Sequence, residues 1–328
     1  MMSSATVLEV SNVSKSFATG SSGLKLPFLT GERPVVRAVS GVSLTLGETD
    51  VLGLVGESGC GKSTLGRMVA GLIDMSSGEL KLDGTLHHAL SRSQRRYWAR
   101  NVQMIFQNPY ASLNPRQTVR QTIEEPLRVH GLVEKNALRD RTDDLLKKVG
   151  LDPDFGTRLP HELSGGQCQR VGIARALTVD PRVLICDEAV SALDVSIQAQ
   201  ILNLFSDIKE RASIAYLFIS HDLGVVERLS DRVAVMYLGR IVETAPKAEL
   251  FSAPLHPYTQ ALLEAVPKIG RQRRSKSVIS GERPSPLAPP AGCHFHPRCP
   301  YATPRCRAEV PLLKEVKTNH FAACHLND

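Results

Sequence analysis

Long apolar runs are absent from this sequence. None approaches the roughly 18 residues that span a bilayer, and the longest candidates, such as residues 214–219, have the length of a strand. The first ten residues also lack the basic flank and apolar core of a secretory signal peptide, and no internal repeat is present. These absences predict a chain that stays in the cytosol and reaches a membrane only through a partner.

A strong excess of charge of one sign is missing too. The formal net charge of +7 is modest for 328 residues, so it indicates ordinary surface composition, and we expect no nucleic-acid partner. The composition of 42% hydrophobic and 22% charged residues excludes disorder and a fibrous repeat. A chain of this length exceeds one hydrophobic core, which predicts one large domain and a smaller appendage.

The pattern of elements predicts an α/β fold. Short apolar strands at 183–186, 214–220 and 233–236 alternate with helical patterns such as 195–211, which is typical of a parallel sheet covered on both faces. Helical periodicity and few β-branched runs indicate an inserted helical subdomain. The expected organisation is a main domain at 5–267 containing a helical subdomain at about 108–175, a basic, proline-rich linker at 268–291, and a cysteine-rich extension at 292–328.

A glycine-rich loop carries the clearest chemical signal. It follows a predicted strand at 51–55, opens a predicted helix over 62–72 and fits the pattern G-x-x-x-x-G-K-[ST]. Backbone amides that turn toward one point, together with a helix N-terminus, hold phosphates. Lys62 would reach the β- and γ-phosphates, and the Ser63 hydroxyl would bind Mg²⁺. The loop consists of Gly56, Glu57, Ser58, Gly59, Cys60, Gly61, Lys62, Ser63 and Thr64.

An acidic pair follows another apolar strand. Asp187 would stand at the carboxyl edge of the sheet beside the phosphate loop, where it can hold Mg²⁺, and Glu188 is suited to act as general base on an attacking water. Taken alone, such a pair is typical of a solvated strand end, so the prediction depends on the neighbouring motifs.

A second phosphate-binding segment precedes a further helix and consists of Ser164, Gly165, Gly166 and Gln167. One nucleotide does not need two such segments from one chain. This predicts a head-to-tail dimer in which the segment closes over the partner's γ-phosphate.

Here the sequence resembles the ATP-binding cassette (ABC) ATPases, whose signature is Leu-Ser-Gly-Gly-Gln. The resemblance covers about residues 5–265 and implies the P-loop ABC ATPase core: a parallel sheet with helices, a small antiparallel β subdomain and the inserted helical subdomain. The resemblance implies that Gln107 links Mg²⁺ and the attacking water to the helical subdomain, that Asp194 lies in the D-loop, and that His221 senses the γ-phosphate. Phe17 would stack on adenine, although a plain core role for this aromatic stays open.

Within that family the chain resembles the dipeptide/oligopeptide permease branch of bacterial importers, and its second ATPase subunit in particular. The motifs that carry this likeness are residues 107–116, 190–200 and 256–263. It implies a second ABC ATPase subunit in a heterodimer, two membrane permease subunits and an extracytoplasmic solute-binding protein, with this chain peripheral at the cytoplasmic face of the bacterial inner membrane. The alternative is a soluble ABC ATPase that acts on nucleic acid, ribosomes or cofactor assembly.

Four of the seven cysteines lie in the last predicted segment: Cys293, Cys299, Cys306 and Cys324. Disulfides are disfavoured in a compartment that holds ATP and glutathione. A [4Fe–4S] cluster tolerates irregular spacing between its four thiolates, whereas Zn²⁺ usually takes tighter pairs. A cluster, Zn²⁺ and unligated thiols in a small core therefore all stay open, and the cluster is the favoured expectation.

Overall fold

The computed structural model describes residues 5–18, 35–87, 91–265 and 281–328. Its strands are β1 (Thr6–Ala18), β2 (Val35–Gly47), β3 (Val51–Val55), β4 (Ser77–Leu82), β5 (Thr85–Leu86), β6 (Val102–Ile105), β7 (Val183–Asp187), β8 (Ala215–Ser220), β9 (Arg232–Tyr237), β10 (Arg240–Pro246), β11 (Lys314–Lys317) and β12 (His320–Ala322). Its α-helices are α1 (Lys62–Val69), α2 (Arg92–Asn101), α3 (Val119–His130), α4 (Leu138–Lys148), α5 (Gly165–Leu177), α6 (Val195–Arg211), α7 (Leu223–Leu229), α8 (Lys247–Ser252), α9 (Pro257–Ala265) and α10 (Pro304–Ala308).

The main sheet runs in the order β11-β12-β10-β9-β3-β8-β7-β6. Its strands from β9 to β6 are parallel. Successive residues of β3 and β8 alternate between two buried clusters, because neighbouring side chains of a strand point to opposite faces. Tyr216 and Phe218 join the cluster that contains α3 to α7, whereas Leu217 and Ile219 join the one that contains α1 and the second sheet. The central strands are therefore covered on both faces, which explains their unbroken apolar runs.

A smaller antiparallel sheet with the order β2-β1-β4-β5 covers the second face. β1 and β2 pair along most of their length, with Phe17 opposite Val36. This sheet carries one wall of the cleft described below. Residues 20–34, the insertion that separates these strands in the sequence, lie outside the described residues.

Helices α3, α4 and α5 follow β6 and precede β7, and α3 packs on both of the other two. Thr118 and Ser164 begin α3 and α5 with capping boxes, in which a hydroxyl and a glutamine side chain each accept a backbone amide. Pro126 lies inside α3. These three helices connect two neighbouring strands that end at the same edge of the sheet.

The cysteine-rich segment returns to the main sheet. β12 pairs antiparallel with β10, and β11 pairs with β12, so the segment forms one edge of the eight-stranded sheet. The fully buried His320 contacts Glu243 with its Nε2 atom at 2.7 Å. The Glu243 carboxylate also accepts the backbone amides of Leu255 and His256. Hydrogen-bonded strands and a buried polar contact therefore join this segment to the sheet.

No helix among the described residues combines the length and apolar character that crossing a membrane requires.

Candidate active site

The phosphate loop connects the end of β3 to the start of α1. Gly56 and Gly61 adopt positive φ angles of 152° and 111°, which residues other than glycine rarely adopt. A Cβ atom at either glycine would lie 2.2 Å from a backbone carbonyl oxygen, that of Met236 or that of Ala38. Glycine is therefore required at both positions, because the loop passes directly over the neighbouring backbone.

Lys62 opens α1 and is almost completely buried, with 4% of its surface exposed. Its Nζ atom donates to the carbonyl oxygens of Gly56 at 2.7 Å and Glu57 at 3.0 Å. Gly61 occupies the N-cap position and has no side chain to accept the first amides of α1. A buried cation and an uncapped helix N-terminus thus meet at one point, which suits a phosphate.

Ser63 and the acidic residue that ends β7 meet beside this loop. The Ser63 hydroxyl donates to Asp187 Oδ1 at 2.7 Å. Burial raises the pKa of Asp187, and the hydrogen bond from Ser63 partly opposes that rise. A hydroxyl and a carboxylate are oxygen donors of the kind that Mg²⁺ prefers, so these residues fit that ion.

Glu188 lies at the centre of a polar group formed by three separate strand ends. Gln107 Nε2 donates to Glu188 Oε2 at 2.7 Å, and His221 Nδ1 lies 3.3 Å from Oε1. Glu188 holds a positive φ of 49°, which is uncommon for a residue with a side chain. Its backbone amide donates to the Ile219 carbonyl oxygen at 2.9 Å, so the adjacent strand fixes this conformation.

Gln107 and Glu188 line a cleft of about 220 Å³, whereas Asp187 and His221 are not among its described lining residues. Its walls come from the phosphate loop, Gln107 and Glu188, from residues 36–38 of β2, and from Pro286. Phe17, which is 41% exposed, stands opposite Val36 on the neighbouring strand. The sequence-predicted groups for phosphate binding and for water activation thus share one cleft, and Phe17 lies next to a residue of its wall. A larger cleft of about 700 Å³ lies between the small sheet and the cysteine-rich segment, and neither Glu188 nor Lys62 is among its lining residues.

The signature segment lies elsewhere. Ser164 begins α5, and Gly166 packs against Ile197 of α6, whose N-cap is Asp194. Hydrogen bonds from the Ile197 amide and the Ser196 hydroxyl lower the pKa of Asp194. Residues 164–167 and Asp194 are not among the described residues that line the cleft. The chain therefore brings this group together, but away from its own phosphate loop.

Three contacts to the phosphate loop come from residues for which the sequence indicated no role. Arg298 forms an ion pair with Glu57, the Tyr258 hydroxyl accepts the Glu57 backbone amide, and Arg283 donates to the Ser58 carbonyl oxygen. Tyr258 lies in a segment that carries the branch resemblance, and Arg298 lies in the cysteine-rich extension. Nothing in either pattern links them to a loop about 200 residues away in the chain.

The four cysteines of the extension have free thiols, of which Cys306 and Cys324 are buried. Burial raises the pKa of Cys324 to about 11, and the other three thiols add to this, so all four lie within electrostatic reach. Within the described residues, however, no group of three or more His, Cys, Asp or Glu side chains is placed to hold a metal ion. The expectation of a [4Fe–4S] cluster or Zn²⁺ therefore receives no support from this arrangement, because proximity alone does not direct three donors at one point.

Comparison with known proteins agrees with the geometry. Residues 39–191 match the ABC transporter family, and residues 242–306 match the oligopeptide/dipeptide transporter C-terminal region. The chain is 50% identical to the oligopeptide transport ATP-binding protein AppF of Bacillus subtilis (strain 168), covering 98% of this chain and 97% of that protein. It is also 50% identical to the di/tripeptide transport ATP-binding protein DppF of Pseudomonas aeruginosa (strain UCBPP-PA14), covering 88% and 90%.

Among solved structures, the fold is similar to a dimeric bacterial ABC transporter cassette, with a TM-score of 0.64, 26% sequence identity, and coverage of 73% of this chain and 98% of that one. A dimeric post-hydrolysis cassette bound to ADP and phosphate gives a TM-score of 0.63 at 26% identity, with the same coverage.

Proposed function

We propose that this chain, which belongs to the ABC transporter ATPases and matches their oligopeptide/dipeptide branch, hydrolyses ATP to energise import of dipeptides or oligopeptides through separate permease subunits. The observation that carries the proposal is that Glu188, which lines the cleft of the phosphate loop, contacts both Gln107 and His221. A base, an amide and an imidazole beside a phosphate site suit hydrolysis of a phosphoanhydride, because they can orient and deprotonate the attacking water. The peptide substrate follows from the relatives rather than from the site.

ATP binding would begin at the phosphate loop. The amides of residues 56–64 would receive the phosphates, and Lys62 would exchange its two carbonyl partners for β- and γ-phosphate oxygens. Phe17 would stack on the adenine. Ser63, Gln107 and Asp187 would hold Mg²⁺, which neutralises the phosphate charge when bound.

Glu188 would then take the proton of the attacking water. Gln107 and His221 contact its two carboxylate oxygens from different directions. These contacts fix the carboxylate and leave it beside the loop, where a water between it and the γ-phosphate would be aligned. His221 would also contact the γ-phosphate.

A second cassette would complete the site. Residues 164–167 and Asp194 lie together but outside the chain's own cleft, which supports a head-to-tail arrangement with each signature segment over the partner's nucleotide. We propose a second, non-identical ABC ATPase subunit as that partner. The groove near residues 107–128, in the helical subdomain at about 108–175, would contact the helices of the two permease subunits, and an extracytoplasmic solute-binding protein would deliver the peptide. The chain would then work as a peripheral subunit at the cytoplasmic face of the bacterial inner membrane.

A detergent pull-down of the tagged chain from native membranes, followed by mass spectrometry, tests this function. We expect two multi-span permeases and a second cassette subunit, and the ligand of the associated binding protein would identify the solute. Recovery only from the soluble fraction, with ribosomes, DNA or assembly factors, would instead establish the non-transport alternative.

The cysteines need a separate test, because the described arrangement gives a metal no formed site. Iron, sulfide and zinc are measured in anaerobically purified full-length protein. Stoichiometric iron and sulfide would establish the [4Fe–4S] cluster on Cys293, Cys299, Cys306 and Cys324, and stoichiometric zinc would establish Zn²⁺. If none of the three is present, the residues are thiols of a small core.

A further inference from the structure

Arg298 of the cysteine-rich extension makes a two-pronged ion pair with the phosphate loop. Its Nη1 and Nη2 atoms each donate to a different carboxylate oxygen of Glu57, both at 2.9 Å. The Arg298 side chain is 7% exposed and that of Glu57 is 24% exposed. The hydrogen bonds to Glu57 raise the pKa of Arg298. Fork-shaped pairs of this kind fix orientation as well as charge.

Glu57 is the residue of the loop through which this contact acts. Its backbone amide donates to the Tyr258 hydroxyl oxygen at 2.9 Å, and its carbonyl oxygen accepts from Lys62 Nζ at 3.0 Å. Its side chain, amide and carbonyl are thus held by three different groups. The ion pair with Arg298 therefore holds the side chain of a residue whose backbone contacts both Tyr258 and Lys62.

Arg298 is itself held by a packed aromatic cluster, defined as Tyr237, Tyr258 and Phe295. The ring centroids of Tyr237 and Tyr258 are 4.6 Å apart, and Phe295 lies 5.4 Å from each. Arg298 Nη1 also lies 3.4 Å from the Tyr237 hydroxyl. The cluster joins β9, α9 and the extension. The Arg298 guanidinium therefore lies between closely packed rings and the phosphate loop.

The ion pair between Arg298 and Glu57 affects nucleotide binding through its charge. An unpaired Glu57 carboxylate in the phosphate loop would repel a triphosphate, and partial burial would strengthen that repulsion. Arg298 neutralises it. Arg283 adds a second guanidinium beside Gly59 and bonds the Ser58 carbonyl oxygen. The segment at 281–298 therefore supplies two cations to one end of the loop.

We propose that Arg298 is a positioning residue for the phosphate loop, which fixes and neutralises Glu57 so that the extension sets the affinity for MgATP. The proposal rests on the proposed role of residues 56–64 as the ATP site. Arg298 acts only through Glu57.

The test is equilibrium binding of MgATP to the full-length chain and its variants, with thermal unfolding as a check on folding. Arg298→Met should weaken binding about tenfold, because it leaves a partly buried carboxylate unpaired. Arg298→Lys, which keeps the charge but loses the fork, should weaken it about threefold. Adding Glu57→Gln to Arg298→Met should restore most of the affinity, since no unpaired charge remains. The matched control is Arg305→Met, which removes a half-exposed arginine of the same extension that pairs with Glu309 and Asp328.

Affinity of Arg298→Met within twofold of the control would overturn the proposal, and so would a loss that Glu57→Gln does not recover, which indicates general damage to the fold. If Arg298→Met does not fold, the MgATP affinity of Arg298→Lys is compared with that of Arg305→Lys by the same criteria. A Lys62→Ala variant that binds MgATP normally would overturn the proposed ATP site instead, so the two failures are distinguishable.

Discussion

Two helices of this chain begin at segments that the sequence predicts to bind phosphate, and their N-termini differ. α1 begins after Gly61, which offers no side-chain acceptor, whereas α5 begins after Ser164, whose hydroxyl oxygen accepts the Gln167 amide at 3.3 Å. Gln167 in turn accepts the Ser164 amide through its side chain at 2.9 Å. The first N-terminus lacks a side-chain cap, and the second is capped from within.

The difference indicates a division of labour. An uncapped N-terminus gains most from an anion, because the anion satisfies amides that otherwise have only solvent. A capped N-terminus gains less from an anion. The capping bond of α5 uses the Ser164 hydroxyl oxygen as acceptor, so the hydroxyl proton can still be donated to the phosphate of a second molecule. We therefore expect α1 to provide the affinity of each chain for ATP, and α5 to act only after two cassettes meet.

Removing the cation of α1 should have the largest effect. Lys62→Ala deletes the buried ammonium that would neutralise the phosphates, so we expect MgATP binding weaker by at least about a hundredfold and no measurable hydrolysis. Isothermal titration calorimetry and phosphate release measure the two quantities. Normal binding by this variant would remove α1 as the main source of affinity.

Removing the proposed general base should have the second-largest effect, on hydrolysis rather than on binding. Glu188→Gln keeps the hydrogen bond from Gln107 possible but removes the base, so hydrolysis should fall on the order of a hundredfold or more. MgATP should still bind and trap a closed dimer with the partner cassette, visible by size-exclusion chromatography. Hydrolysis equal to that of the parent chain would refute the role of Glu188.

The capped N-terminus should give a smaller and more selective effect. Ser164→Ala removes the cap of α5 and the hydroxyl that would reach the partner's phosphate, so hydrolysis by the assembled dimer should fall about tenfold. MgATP binding by the single chain should stay within about twofold of the parent. Equal losses in both measurements would mean that α5 serves its own chain's site.

Substituting a cysteine of the extension should have the smallest effect on nucleotide binding. Cys306 contacts Thr303 at 3.3 Å, and its carbonyl oxygen accepts the Cys293 amide. Cys306→Ser is nearly isosteric and leaves Arg298 in place, so MgATP affinity should change less than about twofold. A larger change in titration calorimetry would show that the thiols reach the phosphate loop.

Local patterns predicted the parts of the molecule whose residues are neighbours in sequence. β3 and the helix over 195–211 begin and end where their patterns indicate, because strand and helix periodicity are local signals. The predicted helix from Lys62 to Leu72 ends earlier, at Val69, since Gly71 takes a positive φ of 70°. Strand β1 is long, Thr6–Ala18, because it pairs with two neighbouring strands, β2 and β4.

The residues of the proposed catalytic group were predictable for a further reason. Asp187, Glu188 and His221 follow strands that end at one edge of a parallel sheet, so strand order alone brings them together. The contact of Arg298 with Glu57 spans 241 residues and depends on how the extension packs. No pattern in either segment encodes that pairing, and only the folded chain reveals it.

The return of the extension to the main sheet has a consequence for biosynthesis. The phosphate loop leaves the ribosome long before Arg298 and the strands β11 and β12 are made. A nascent cassette can form its parallel strands early, but β10 keeps an unpaired edge and Glu57 keeps an unpaired charge until that segment is translated. If Arg298 positions the loop as proposed, a chain that has not yet made this segment would bind MgATP about tenfold more weakly than the finished chain.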